Sequence, residues 1–255
     1  MTLIAVTRPV SSSLPRCEIS FIQREPIDVA LARREHAAYE AALAQAGARV
    51  VRLPVADELP DATFVEDTAL VLDEVAVIPL MGAPSRRGET AEVEHCLSSY
   101  RPVVRLTPPA TLDGGDVMRA ERTIFVGLTA RTNRAAVDQL RALIRPYGYE
   151  VAPVAPTGCL HLKSACTYLG EGVVLANPAW IDSSCLRGLV LLSVAEGEPF
   201  GANAVAVGGK LLYAAGFPAT QARLQRRGFE VLTVETSELR KAESAMTCLS
   251  LVFEA

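Results

Sequence analysis

The thiol of Cys248, the imidazole of His161, the acid pair Glu66-Asp67 and the run Asp113-Gly-Gly-Asp116 are the groups in this 255-residue chain best suited to chemistry. A thiol near a histidine that a carboxylate orients is the general form of an activated nucleophile, and gathered carboxylates make a pocket attractive to a cation. Each group also has an ordinary reading by itself. Cys248, between Thr247 and Leu249, fits a small buried apolar residue, and His161 fits a hydrogen-bonded core histidine. Asp113 to Asp116 fits a glycine turn, and Glu66-Asp67 fits a strand cap or an arginine partner. What sets them apart is where they fall in a repeat that runs through the whole chain.

Paired short β-type runs flank polar turns at Thr68–Leu72 with Val75–Pro79, Asp116–Arg119 with Thr123–Val126, Ala165–Leu169 with Val173–Ala176, and Ala204–Val207 with Leu211–Tyr213. Turn chemistry and β-branched content mark these as hairpins. Thr247–Phe253 supplies a last strand, with Leu3–Val6 as its partner. Helical periodicity follows at Val29–Ala46, Thr90–Tyr100, Asn133–Tyr147 and Pro218–Arg227, with Gly47, Gly148 and Gly228 as stop signals. A single extended run comes after each helix. Hairpin starts at Glu66, Gly115, Lys163, Ala202 and Cys248 are separated by 49, 48, 39 and 46 residues. Five near-equal units predict a closed α/β ring in which residues 1–255 form a single domain, because closure removes exposed sheet edges. The start of each hairpin would then point at the axis, bringing Glu66-Asp67, Asp113, His161, Asn203 and Cys248 together. His36 and His95 fall in helices and are assigned to structure.

Composition excludes several other classes. Half of the residues are apolar and the net charge is −4, so the chain can bury a large core and has no nucleic-acid footprint. No apolar run approaches the roughly 18–20 residues of a membrane span. Residues 1–9 have no basic segment followed by a long apolar stretch, so no secretory signal is expected. Six scattered cysteines without a Cys-x-x-Cys pair fit reduced thiols in a cytoplasmic protein, and no metal site or cofactor is expected. The sequence leaves the oligomeric state open, with a homodimer one option.

Phe64-Val-Glu-Asp67, Ser85-Arg-Arg87, Thr111-Leu-Asp-Gly-Gly-Asp-Val117, Arg131-Thr-Asn133, Leu160-His-Leu-Lys-Ser164 and Thr247-Cys-Leu-Ser250 occur in order from one end of the chain to the other. Together with the repeat spacing they closely resemble the dimethylarginine dimethylaminohydrolases, members of the guanidino-group-modifying enzymes. The resemblance implies a fivefold pseudosymmetric α/β-propeller, the pentein fold, which agrees with the repeat count. It also implies a small guanidino substrate: a methylated arginine hydrolysed to citrulline and an amine through a covalent thiouronium on the cysteine.

Carried over position by position, the resemblance makes Cys248 the nucleophile, His161 the general acid and base, and Asp113 the carboxylate that orients the histidine. Glu66 and Asp67 match acids around the guanidinium, and Asp61 a substrate contact on the pocket wall. Arg86 and Arg131 match arginines that hold the amino-acid carboxylate, the carbonyl of Ala242 falls where the α-amino group binds, and Ile19 aligns with a lid leucine. The family usually reads Asp-Gly shortly before the nucleophile; this chain has Glu243-Ser244. Ile19 and Glu243-Ser244 bear on substrate closure and amine recognition rather than on the thiol chemistry. The alternatives are another amidinohydrolase of the superfamily, or a pentein that binds without catalysing.

Overall fold

The computed structural model describes residues 2–255. Five three-stranded sheets form, and each has the same local grammar: two antiparallel strands, a crossover, and a third strand parallel to the second. In the first, β1 (Leu3–Thr7) leads through helix α1 (Val29–Gln45) to the parallel strand β2 (Arg49–Arg52). The second is the hairpin β3 (Leu70–Val71) and β4 (Ala76–Ile78), helix α2 (Thr90–Leu97) and β5 (Val103–Arg105). The third is β6 (Val117–Ala120) and β7 (Thr123–Gly127), helix α3 (Arg134–Ile144) and β8 (Glu150–Val154). After a short turn, α4 (Leu162–Ala165), the fourth is β9 (Cys166–Gly170), β10 (Val173–Ala176) and β11 (Val190–Ser193). The fifth is β12 (Ala204–Val207) and β13 (Lys210–Ala214), helix α5 (Pro218–Arg226) and β14 (Glu230–Val234).

After the short helix α6 (Ser237–Arg240), the last strand β15 (Leu251–Glu254) pairs antiparallel with β1, placing Ile4 opposite Phe253. The two chain ends therefore complete the first sheet, as the paired runs Leu3–Val6 and Thr247–Phe253 predict. The result is the fivefold pseudosymmetric α/β arrangement. Four hairpin starts are single tight turns: Val65–Thr68, Gly114–Asp116, α4 and Met246–Leu249. A tight turn ahead of a strand lets adjacent side chains project out of the sheet plane, so Glu66, Asp67, Asp116 and Cys248 do not have to follow strand alternation.

Two expectations need correction. Cys248 is in the turn Met246–Leu249 and not on the strand, which begins at Leu251. The fourth unit has no crossover helix; a short helical turn, Ser183–Leu186, joins β10 to β11. That unit is the one with the 39-residue step. Burial follows the amphipathic pattern elsewhere. Tyr39 and Leu43 of α1 are fully buried, as are Val137, Leu140 and Ile144 of α3. Among the described residues no helix is long and apolar enough to cross a membrane.

Ile4 is fully buried on the strand that joins the two ends of the chain. Ile4→Ala should cost about 2–5 kcal/mol of unfolding free energy in chemical denaturation. A loss well under about 1 kcal/mol would mean that the seam between β1 and β15 does not hold the ring together.

Candidate active site

The carboxylate of Asp67 sits at the junction of the site. Its Oδ2 accepts from Arg86 Nη1 at 2.6 Å and its Oδ1 from the backbone N–H of Gly115 at 2.8 Å. The same Oδ1 lies 3.9 Å from Nδ1 of His161. Gly115 has to be glycine here, because a Cβ on it would lie 2.5 Å from His161 Nδ1 and 2.8 Å from Asp67 Oδ1. Burial by itself would raise the Asp67 pKa, but His161, Arg86 and the Gly115 N–H outweigh it and bring it down to about 2. Asp67 is therefore ionised at any working pH.

The other ring nitrogen of His161, Nε2, is 3.3 Å from Oδ2 of Asp113. Asp113 is fully buried and fixed from two directions. Its Oδ1 accepts from the Gly82 N–H at 2.8 Å, and its own N–H donates to Thr132 Oγ1 at 3.2 Å. Asp116 supports the same region, accepting from the Thr129 and Thr132 hydroxyls and from the Leu162 N–H. Burial opposes the imidazolium of His161, yet Asp67, Asp113 and Asp116 together raise its pKa to about 9. At neutral pH this favours the imidazolium form of the ring. Asp67, Asp113 and His161 have ligand-type atoms within 4.8 Å of one another, but their arrangement here is that of an ion cluster.

Cys248 stands in the turn Met246–Leu249, where its Sγ accepts from the N–H of Ala245 at 3.5 Å. Burial, then Glu66 and Asp67, push its pKa well above that of an ordinary thiol. At rest it is a neutral thiol. Asn203 fixes the turn: its Oδ1 accepts from the Thr247 N–H at 3.0 Å, and its Nδ2 reaches the carbonyl of Lys163 at 2.9 Å.

A small cavity of about 20 Å³ brings together Asp61, Asp67, Arg86, Arg131, His161, Ala242 and Cys248, seven of the ten residues expected at the site. Asp113 stands directly behind His161. Three expected contacts differ. Glu66 lies on the other side of the turn, lining a cavity of about 930 Å³ on the propeller axis. Its carboxylate is held by Lys163 Nζ at 2.5 Å and Thr247 Oγ1 at 2.8 Å. Adjacent residues in one tight turn point apart, which separates it from Asp67. Arg86 is buried with every nitrogen engaged: by Asp67, by both oxygens of Glu89, and by the carbonyls of Phe64 and Asp61. Its charge is used to hold Asp67. Ile19 packs on the hydrophobic cluster beside α1, and Glu18 reaches the cavity in its place.

Sequence reasoning missed Glu89, whose pKa burial raises to about 7 against the pull of Arg86. Its position three residues after Arg86 was the available signal. Lys163 was seen only as part of a motif. Arg131 is the less committed arginine, with Nη1 3.6 Å from Asp113 and Nη2 3.4 Å from the Ser20 hydroxyl.

A charged histidine, an ionised acid, a thiol and an arginine thus gather at one cavity of a fivefold α/β ring. The comparisons with known proteins are more specific. A model of the family "N,N dimethylarginine dimethylhydrolase, eukaryotic" matches residues 18–198. The N(G),N(G)-dimethylarginine dimethylaminohydrolase of Streptomyces coelicolor is 39% identical over 249 residues, covering 97% of this chain and 95% of that protein. The Pseudomonas aeruginosa enzyme, solved as a cysteine-to-serine mutant with citrulline, superposes with a TM-score of 0.95 at 30% identity, covering 99% of this chain and all of the other. A dimethylarginine dimethylaminohydrolase with histidine replaced by glycine, solved as an adduct with S-methyl-L-thiocitrulline, also gives 0.95, at 31% identity with 99% and 100% coverage. The chain belongs to the dimethylarginine dimethylaminohydrolase family.

The raised pKa of His161 is also a stability term. Its contribution is fully present below the unfolded value of about 6.5 and is lost as pH rises through about 9. The stability gap between wild type and His161→Gln should therefore narrow across that window in urea denaturation. A gap that stayed constant from pH 6.5 to 9.5 would mean the ring is not held protonated.

Proposed function

We propose that residues 1–255, acting as one unit of five repeats, hydrolyse an Nω-methylated arginine to citrulline and methylamine or dimethylamine. The observation that supports this reading most strongly is the pairing of a neutral buried thiol with an ionised Asp67 in one cavity. An arrangement of that kind gains its nucleophile when a cation enters. The guanidinium is flat and positive, and Asp67 can accept hydrogen bonds from its nitrogens while holding the central carbon near Sγ. The same positive charge favours loss of the thiol proton, which passes to solvent as the substrate enters.

The thiolate then forms a bond to the guanidinium carbon, giving a tetrahedral adduct. His161, charged at rest, passes a proton to the methylated nitrogen, and the C–N bond breaks to release the neutral amine. A thiouronium on Cys248 and a neutral imidazole remain. That imidazole takes a proton from water, the hydroxide adds to the same carbon, and expulsion of the thiolate yields citrulline. Asp113 keeps the ring in place and favours its charged form between the two transfers. Glu66 stabilises Lys163 behind the turn instead of touching substrate.

Arg131, Asp61 and the Ala242 carbonyl form the wall nearest the lid and are assigned to the amino-acid end of the substrate. A bidentate carboxylate contact favours arginine over lysine at such a place. Arg86 acts through Asp67 as a positioning residue.

Three outcomes test this reading. Purified protein should release dimethylamine and citrulline from asymmetric dimethylarginine faster than ammonia from arginine; the reverse preference would move it to a different amidinohydrolase. His161→Ala should lower kcat by at least about 10²-fold with substrate still bound, and near-normal turnover would exclude the ring as acid and base. Arg131→Ala should raise KM, whereas Arg86→Ala should cost about 3–5 kcal/mol of stability by stranding Asp67 and Glu89. Equal effects of the two substitutions on KM alone would show both arginines on the substrate.

A further inference from the structure

The cavity around Cys248 has room for about one water molecule at about 20 Å³, far less than an amino acid with a guanidino side chain requires. Substrate admission therefore needs the covering segment to move. The irregular stretch between Cys17 and Asp28, ahead of α1, contributes Glu18 to the wall of that cavity and is the segment proposed to move. Its inner end is tied by Asp61, which accepts from the Glu18 N–H at 3.1 Å, and by the Ser85 hydroxyl, which donates to Glu18 at 2.6 Å. Its middle is held chiefly by one side chain, with a longer contact from Arg131 to the Ser20 hydroxyl at 3.4 Å. The carboxylate of Glu243 accepts from the backbone N–H groups of Ser20 at 2.7 Å, of Phe21, and of Ile22 at 3.0 Å.

Glu243 is an unusual residue to find in this role. Its φ is +57°, in the left-handed region where a side chain is disfavoured and glycine is at ease. It directly follows Ala242, whose backbone borders the cavity, and stands five residues before the nucleophile. The same stretch also anchors the outer end of the cover. Glu238 accepts from the Asp28 N–H at 2.8 Å, and Lys241 Nζ reaches the carbonyl of Pro26 at 3.2 Å. The segment Glu238–Glu243 thus grips the cover at its base and again at its middle.

Packing beneath that middle is thin. A second cavity of about 410 Å³ lies beside it, bordered by Phe21, Ile22, Glu243 and Ser244, and the Phe21 ring is 54% exposed. With little apolar contact to hold Ser20–Ile22 down, the three N–H bonds to one carboxylate dominate its attachment.

We propose that Glu243 is the latch of the site, a positioning residue whose carboxylate must release Ser20–Ile22 before substrate enters or product leaves. Glycine at this position would relax the backbone and remove the latch together. The substrate side of this proposal rests on the methylarginine reading above, but the resting-state side does not.

The test compares wild type, Glu243→Gly and Glu243→Gln as full chains. In the glycine variant, amide exchange at Ser20, Phe21 and Ile22 should speed up at least about tenfold, with an intermediate change in the glutamine variant, which keeps one acceptor oxygen. Exchange in β1 and β15 should stay unchanged. Alkylation of Cys248 by a small neutral haloacetamide should accelerate in parallel. KM for asymmetric dimethylarginine should fall by up to about tenfold and change more than kcat, because the open, binding-competent state is populated more often. Unchanged exchange at residues 20–22 would overturn the latch, as would acceleration spread over the whole chain, which marks a merely structural role. Faster local exchange with an unaltered KM would overturn its control of substrate. Absence of turnover in wild type would defeat the methylarginine reading and leave the exchange result to decide the latch.

Discussion

An ionised carboxylate buried at Asp67 is the constraint that organises the centre of this molecule. A charge out of water is tolerated only with close partners, and Asp67 has three: the Arg86 guanidinium, the Gly115 N–H and the His161 ring. Each partner imposes a further requirement. Arg86 is buried as well, so Glu89 and two carbonyls must satisfy it. Gly115 has no room for a side chain. His161 can be a buried cation only because Asp113 stands on its other face, itself fixed by Gly82 and Thr132. The hairpin starts of the second, third and fourth sheets are thereby tied together.

Burial and this ion cluster explain why the nucleophile is inert at rest. Burial does most to hold the Cys248 thiol neutral, and the carboxylates of Asp67 in the same cavity and Glu66 behind the turn add to it by opposing a negative charge on sulfur. The missing charge is supplied by whatever cation enters. A thiol that ionises only in the presence of its target is protected from oxidants and other electrophiles, since reactivity follows the thiolate. Cys159 and Cys166 are also buried, their thiols pushed up to about 12 by burial, and Cys159 borders the cavity of about 410 Å³ rather than the one at Cys248.

Much of this was legible in the sequence. The repeat spacing and turn chemistry placed the four hairpins to within a few residues, and the closing strand pair was visible as two apolar runs at opposite ends of the chain. Of the seven expected residues that border one cavity, Asp67, His161 and Cys248 were legible from the phase of the repeat, and Asp61, Arg86, Arg131 and Ala242 only from the family resemblance. What failed was side-chain direction. Nothing in the adjacency of Glu66 and Asp67 says that a tight turn sends one to the substrate side and the other to Lys163. Arg86 read as a free cation because Glu89, three residues on, was not weighed as its partner. Cys248 read as a strand residue because its apolar neighbours mask a turn. Glu243 stood out only as a departure from the family pattern, and its meaning needed the positions of three amides more than 220 residues away in sequence.

The central claim is that the thiol at residue 248 stays protonated until a guanidinium arrives, and ultraviolet thiolate absorbance reads this directly. The difference spectrum between wild type and Cys248→Ala should show no thiolate at neutral pH, and a thiolate band should grow when an unreactive guanidinium ligand is added. A band of full intensity in the ligand-free protein at neutral pH would contradict the account.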